Sequence, residues 1–250
     1  MKKKIFPVIL LFVCSLSAQA QSDAIETTSK PFSVVLGASR IIYAPDSNGA
    51  FLTITNPQDY PILAQSQVMD LDKTKKGPFI VTPPLMRLDG KQSSRLRIVR
   101  TGGEFANDRE SLQWLCVKGI PPKSGDAWSK SNNSTRFVKE RASLTVKLSI
   151  SNCIKLFVRP LSLKGLPEDA GKNIRWIRKG DMIKGYNNSP FYVNISSLKV
   201  NGKSLSNVNY IAPFSSESYK LPKASLPMDI HWKTVNDYGG DSEVIKVIVK

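Results

Sequence analysis

The seven residues 144 to 150, LTVKLSI, constrain this chain more than any other stretch. Leu144, Val146, Leu148 and Ile150 alternate strictly with Thr145, Lys147 and Ser149. A period of two places the four aliphatic groups on one face of an extended strand. Register is then fixed tightly, because a slip of one residue would turn the whole row to the other side. Beyond the row come Cys153, a lysine inside an apolar run (Ile154, Lys155, Leu156, Phe157), and Arg159-Pro160. Two readings follow. One is an ordinary half-buried core strand, the default meaning of alternation. The other is a strand whose aliphatic row is offered to a second protein, with a cation at one end to fix register. A flat apolar edge is an aggregation hazard that soluble domains normally charge or shorten.

The start of the chain stands apart from the fold. Lys2, Lys3 and Lys4 precede an apolar segment, and Ala18-Gln19-Ala20 is a small-x-small cleavage site. This is the pattern of a secretory signal peptide over residues 1–20, too short to span a bilayer comfortably. No later stretch is apolar and long enough for membrane insertion, so an exported, soluble product is expected. Removing the three signal lysines takes the formal charge from +16 to about +13. The cations are dispersed and carry no recognition motif, so nucleic acid is not the expected partner. Cys14 leaves with the signal, and the mature chain keeps Cys116 and Cys153. An even count in an exported protein favours a disulfide, with two separate buried thiols as the alternative. A metal centre is not expected with His231 as the one histidine, and no cofactor motif is present.

Short strands bounded by turn residues account for most of the remainder. Stretches at 32–43, 50–55, 62–71, 79–81, 85–88, 94–99 and 112–117 are separated by Asp46-Ser47-Asn48-Gly49, Lys76-Gly77-Pro78, Asp89-Gly90 and Thr101-Gly102-Gly103. The polar stretch 123–139 reads as a long loop before the aliphatic row. After Pro160, strands are expected at 174–177, 182–186, 191–196, 198–200, 218–221, 228–232 and 242–249, with a hairpin turn at Asn201-Gly202. No stretch shows a helical apolar period with caps. The expected fold is all-β: two immunoglobulin-like β-sandwich domains with a cleft between them, residues 21–157 and 161–250, joined by a linker at 158–160.

Several segments, in order, match one family. Ala38-Ser39-Arg40-Ile41-Ile42-Tyr43, Arg109-Glu110-Ser111-Leu112 with Trp114 and Ile120-Pro121-Pro122, Ile154-Lys155-Leu156-Phe157 with Arg159-Pro160, and Asn236-Asp237-Tyr238-Gly239 resemble the signature segments of PapD-like periplasmic pilus-assembly chaperones. The two cysteines flanking a long loop are similar to those of the long-loop members that serve thin, fibrillar or capsule-like surface polymers.

The resemblance implies an L-shaped pair of sandwiches and a mechanism. Clients of this family are incomplete immunoglobulin-like subunits, and the chaperone lends a strand to complete them. On that basis Leu144, Val146, Leu148 and Ile150 are donor residues, and Cys116 and Cys153 are bonded. Arg40 and Lys155 grip the client's C-terminal carboxylate, since two close cations are costly until an anion arrives. Glu110, Arg159 and Asp237 are a charged set that ties the domains together. The implied partners are a fimbrial or fibrillar subunit and an outer-membrane usher, and the implied compartment is the periplasm; whether the free protein masks its aliphatic strand by self-association is left open by the sequence. An enzyme is not expected, because no nucleophile–base pair or metal cluster is present. The competing reading is a secreted immunoglobulin-like fibre subunit or adhesin, which would normally be a single sandwich with an apolar donor segment of its own.

Overall fold

Strict alternation along most of the chain has produced strands buried on one face. A computed structural model describes residues 26–123, 126, 128, 143–221 and 226–250. The expected signal peptide and most of the expected 123–139 loop lie outside them. In the first sandwich the strands are β1 (Glu26–Phe32), β2 (Val35–Leu36), β3 (Arg40–Tyr43), β4 (Ala50–Thr55), β5 (Ile62–Met69), β6 (Phe79–Thr82), β7 (Leu85–Leu88), β8 (Ser93–Arg100), β9 (Ser111–Ile120), β10 (Ser143–Ser149) and β11 (Ser151–Val158). One sheet has the order β3-β11-β9-β5-β7 and faces a second of order β2-β4-β8-β6. Their inward rows, among them Ile41, Tyr43, Ile62, Leu115, Leu156 and Val158 against Leu52, Ile54, Leu96 and Ile98, form one core. Burying each such side chain fully is worth roughly 1.5–3 kcal/mol.

The second sandwich comprises β12 (Arg175–Lys179), β13 (Met182–Asn187), β14 (Val193–Val200), β15 (Lys203–Ser204), β16 (Tyr210–Ile211), β17 (Ser215–Lys220), β18 (Met228–Thr234) and β19 (Ile245–Val249). Its sheets run β12-β13-β17 and β15-β14-β18-β19, with β16 on β14. Trp176 and Trp232 meet edge-on at 5.6 Å in its core. Asn201 and Gly202, both at positive φ, close the β14–β15 hairpin as the sequence expects.

The structure departs from the sequence expectation in several places, among them the merging of the strands expected at 191–196 and 198–200 into β14 and the unexpected two-residue β16. The single strand expected at 32–43 is broken. β2 pairs with β4 in one sheet and β3 with β11 in the other, so the chain crosses between sheets at residues 37–39. A strand unseen in the sequence, β1, lies in the polar segment ETTSKPF, which carries no alternation because it runs along the surface until Phe32 enters the core. A short helix, α1 (Pro167–Lys172), was missed because six residues are too few to show a helical period. It is anchored by the Trp232 indole N–H donating to the Gly171 carbonyl (2.9 Å). Finally, β11 continues through Val158, so the chain leaves the sheet at Arg159.

Cys116 and Cys153 face each other across the β9–β11 ladder and are bonded, with a sequence separation of 37. Cys153→Ser should lower stability by roughly 4 kcal/mol on the chain-entropy account. Urea denaturation of the oxidised protein and the variant measures this. Thiol mapping of the untreated protein should find neither cysteine free.

Candidate functional site

The pairing of β11 assembles a row that no sequence spacing announces. It runs parallel to β3 and antiparallel to β9, which sets Lys155 opposite Arg40 on one side and opposite Trp114 on the other. Residues opposed across strands share a face. Here that face is the outer one, since the neighbours Ile41, Leu115 and Leu156 point into the core. Arg40 donates from Nη1 to the Val235 carbonyl (3.2 Å). Lys155 Nζ donates to Asn194 Oδ1 (2.7 Å) and Asn209 Oδ1 (3.0 Å). All three acceptors belong to the second sandwich, so both cations reach across the seam between domains.

Neither cation is fully compensated. Arg40 Nε is buried without a hydrogen-bond partner among the described residues. Burial lowers the Arg40 pKa, and the charges of Asp237 and Glu110 offset this in part. Burial also pulls the Lys155 ammonium down to about 8, helped by the positive charges of Arg40 and Lys73. Two partly dried cations bonded to neutral oxygens would gain most from an arriving carboxylate. Asn194 and Asn209 were invisible in the sequence, because they lie 39 and 54 residues from the lysine they satisfy.

The expected charged set does meet. Arg159 donates from Nε to Glu110 Oε1 (2.5 Å) and grips Asp237 with both terminal nitrogens, at 2.6 and 2.9 Å. Glu110 belongs to the first sandwich and accepts the Tyr192 N–H of the second (2.7 Å), while its own N–H donates to the Pro190 carbonyl (2.9 Å). Burial raises the Glu110 pKa against the opposing pull of Arg159. Gly239 of the same loop, at φ +90°, sits where a Cβ would collide with Ser39 Oγ, so the loop packs tightly beside Arg40. A cavity of about 130 Å³ remains in the seam, walled by Arg40, Glu110, Arg159, Tyr192 and Asp237 among others.

The aliphatic row is not core. Leu144, Val146, Leu148 and Ile150 are 54, 38, 46 and 37% exposed. The strand β10 pairs with β1 in parallel, and no other strand among the described residues joins that two-stranded ribbon. Ile150 falls just past the end of β10. There its N–H donates to the Phe32 carbonyl (3.0 Å) and its own carbonyl accepts the Gly119 N–H (2.9 Å). A Cβ on Gly119 would lie 2.2 Å from the Phe32 oxygen, so only glycine lets the Phe32 backbone pass this close to β9 where the ribbon joins the sheet. Four aliphatic groups left half in water forgo several kcal/mol of burial together, which is hard to account for within the chain itself.

A strand with its apolar row uncovered, in line with an anion-hungry seam between two sandwiches, is the build of a protein that holds an extended segment of another protein. The particular family is given by comparison. Residues 33–164 match the family model for the pili and flagellar-assembly chaperone PapD N-terminal domain, and residues 169–246 match the pili assembly chaperone PapD C-terminal domain. The chain is 55% identical to the chaperone protein AfaB of Escherichia coli over 80% of its own length and 81% of the relative's. It is similar to the crystal structure of the E. coli chaperone DraB, with 51% identity, a TM-score of 0.77, and coverage of 90% of this chain and all of that one. A Salmonella enterica structure of the SafA pilin in complex with the SafB chaperone matches at a TM-score of 0.78 and 41% identity, covering 90% of this chain and 100% of that one. The chain therefore belongs to the PapD family of pilus-assembly chaperones. A single-sandwich fibre subunit finds no support in two domains matched end to end.

Two outcomes are expected from this geometry. Arg159→Ala should cost about 3–5 kcal/mol, because it strands Glu110, whose side chain is 2% exposed, as an unpaired buried carboxylate. Thermal unfolding beside the wild type reads this directly. The second concerns Lys155, whose folded pKa of about 8 lies below its unfolded value of 10.5. The folded chain holds this proton less tightly than the unfolded chain, so the contribution of Lys155 to stability should rise as pH climbs through that window. Urea denaturation of wild type and Lys155→Gln at about pH 7.5 and about pH 10 should show the gap between them moving in the wild type's favour at the higher pH.

Proposed function

We propose that this protein works in the periplasm of a Gram-negative cell, where it captures surface-fibre subunits that lack a final strand. β10 enters the open groove of the subunit, main-chain hydrogen bonds supply affinity, and Leu144, Val146, Leu148 and Ile150 fill alternate pockets. The subunit's C-terminal carboxylate lies between Arg40 and Lys155 and sets the register in which those four side chains insert. Glu110, Arg159 and Asp237 hold the two sandwiches at the angle that keeps the seam open to that carboxylate. The capped subunit is then delivered to an outer-membrane usher, and no step requires a cofactor or a catalytic group. The long loop before β10 belongs with a chaperone of thin or capsule-like fibres.

The observation that carries this reading is the exposed aliphatic row. In a core strand these residues would be dry; as a donor they must be uncovered in the free protein. Kinship with the SafB chaperone, whose partner in the solved complex is a pilin, supports the same choice.

The deciding experiment is co-expression with neighbouring small secreted proteins, followed by pull-down. Val146→Asp and Leu148→Asp should abolish capture while leaving the free chaperone folded by circular dichroism, because a carboxylate entering an apolar groove costs several kcal/mol. Thr145→Asp should be milder. Arg40→Ala and Lys155→Ala should each leave a folded protein that loses its subunit, at a cost of roughly 2–5 kcal/mol in affinity. Unfolding of the free Val146→Asp protein would return β10 to the role of an ordinary core strand.

A further inference from the structure

The row that holds Arg40 and Lys155 does not stop at Lys155. Its next member is Trp114, and Met69 at the end of β5 stands opposite that tryptophan. The turn after β5 is tightly tied. Asp70 accepts the Thr74 and Lys75 N–H groups at 2.8 and 3.2 Å, and the Lys73 N–H donates to the Asp70 carbonyl (3.1 Å). The Trp114 indole N–H fastens the turn to the sheet through the Leu71 carbonyl (2.9 Å). Within it Lys73 takes φ +59°, a left-handed conformation that costs any residue with a Cβ. The consequence is that Lys73 Nζ lies 3.7 Å from the centre of the Trp114 ring. Lys155 Nζ lies 6.0 Å from the same ring and 4.7 Å from that of Tyr210.

Three cations therefore follow one row across the sheet: Arg40 from β3, Lys155 from β11, and Lys73 from the turn after β5 above Trp114. They differ in what surrounds them. Arg40 feels the carboxylates of Glu110 and Asp237. Lys155 faces Asn194, Asn209 and Tyr210 from the second sandwich, and Tyr210 in turn feels the charges of Asp72 and Glu217. Lys73 is exposed, and among the described residues its ammonium has no carboxylate partner within salt-bridge distance.

We propose that Lys73 is a third, positioning cation of the carboxylate site, drawing an incoming carboxylate toward Arg40 and Lys155 and acting on Lys155 across their shared indole. The proposal rests on the reading of Arg40 and Lys155 given above. An exposed cation at the mouth of a charged cleft works chiefly on the rate of encounter, over a distance limited by salt screening to about 8–10 Å. Trp114 supplies the seat: the ring face stabilises the ammonium without neutralising it, so the charge stays available to an arriving anion. A salt bridge in the same place would cancel it. The like charge beside Lys155 also weakens that lysine's hold on its proton, in the direction its lowered value shows.

The test uses the full chaperone with Lys73→Gln and Lys73→Arg. The probe is a fluorescent octapeptide of alternating valine and threonine with a free C-terminal carboxylate, and its C-terminal amide serves as the control. Lys73→Gln should slow association of the carboxylate peptide about three- to tenfold, flatten its salt dependence, and leave the amide peptide unchanged. In the free protein, the Lys155 ε-methylene titration followed by carbon NMR should move to higher pH in Lys73→Gln. Lys73→Arg, which keeps the charge, should behave as the wild type in both measurements. A Lys73→Gln protein with an unmoved Lys155 titration and unchanged carboxylate association would overturn the inference, provided Arg40→Ala and Lys155→Ala still abolish discrimination between the peptides. Loss of discrimination in neither of those variants, or no preference for the carboxylate in the wild type, would instead overturn the reading beneath it, and the inference with it.

Discussion

The register of β11 between β3 and β9 is the constraint on which the rest of the structure depends. One alignment sets Cys153 against Cys116, and two residues further along sets Lys155 between Arg40 and Trp114. The disulfide is therefore more than a staple on the unfolded chain. It locks the ladder beside the cation row, and a slip of one residue would send Lys155 into the core and Leu156 into the seam. Because β10 directly precedes β11 in the chain, the position of the aliphatic row relative to the cations is tied to the same covalent bond.

Around that register the molecule carries two unmet demands, one apolar and one ionic. The row from Leu144 to Ile150 forgoes burial that four aliphatic groups would otherwise gain. Arg40 and Lys155 give up solvation and receive neutral oxygens in return. Neither feature favours the isolated fold. Glu110, Arg159 and Asp237, by contrast, are charges paired with one another within the seam, with a bidentate grip and one backbone donor completing the set. The contrast separates the two kinds of buried charge. Those that hold the domains together are paired within the protein, and Arg40 and Lys155 at the seam are bonded only to neutral oxygens.

Much of this was legible in the sequence. Alternation with a period of two fixed most strands to within a residue or two, and the turn chemistry at Asn201-Gly202 predicted the hairpin found there. The paired cysteines and the charged set were also anticipated, although the meeting of Glu110, Arg159 and Asp237 was expected from family resemblance, since their spacing gives no hint of it. What escaped was whatever lacked a local signature. β1 is polar and exposed from Thr27 to Pro31, with only Phe32 at its end reaching the core, and α1 is too short for a helical period to register. Asn194, Asn209 and the placement of Lys73 over Trp114 arise from pairings across tens of residues.

The sequence by itself determined the class of fold, because side-chain alternation, turn residues and the even cysteine count are local facts that act wherever the chain finds itself. It also determined that residues 144 to 150 would present an aliphatic face. It could not determine which way that face would look, since a core strand and a donor strand share one pattern. Only the tertiary structure decided this, by pairing β10 with β1 alone in a separate two-stranded ribbon, so that the apolar row meets water. The physical reason is that burial is a property of what packs against a strand, and that depends on the rest of the chain.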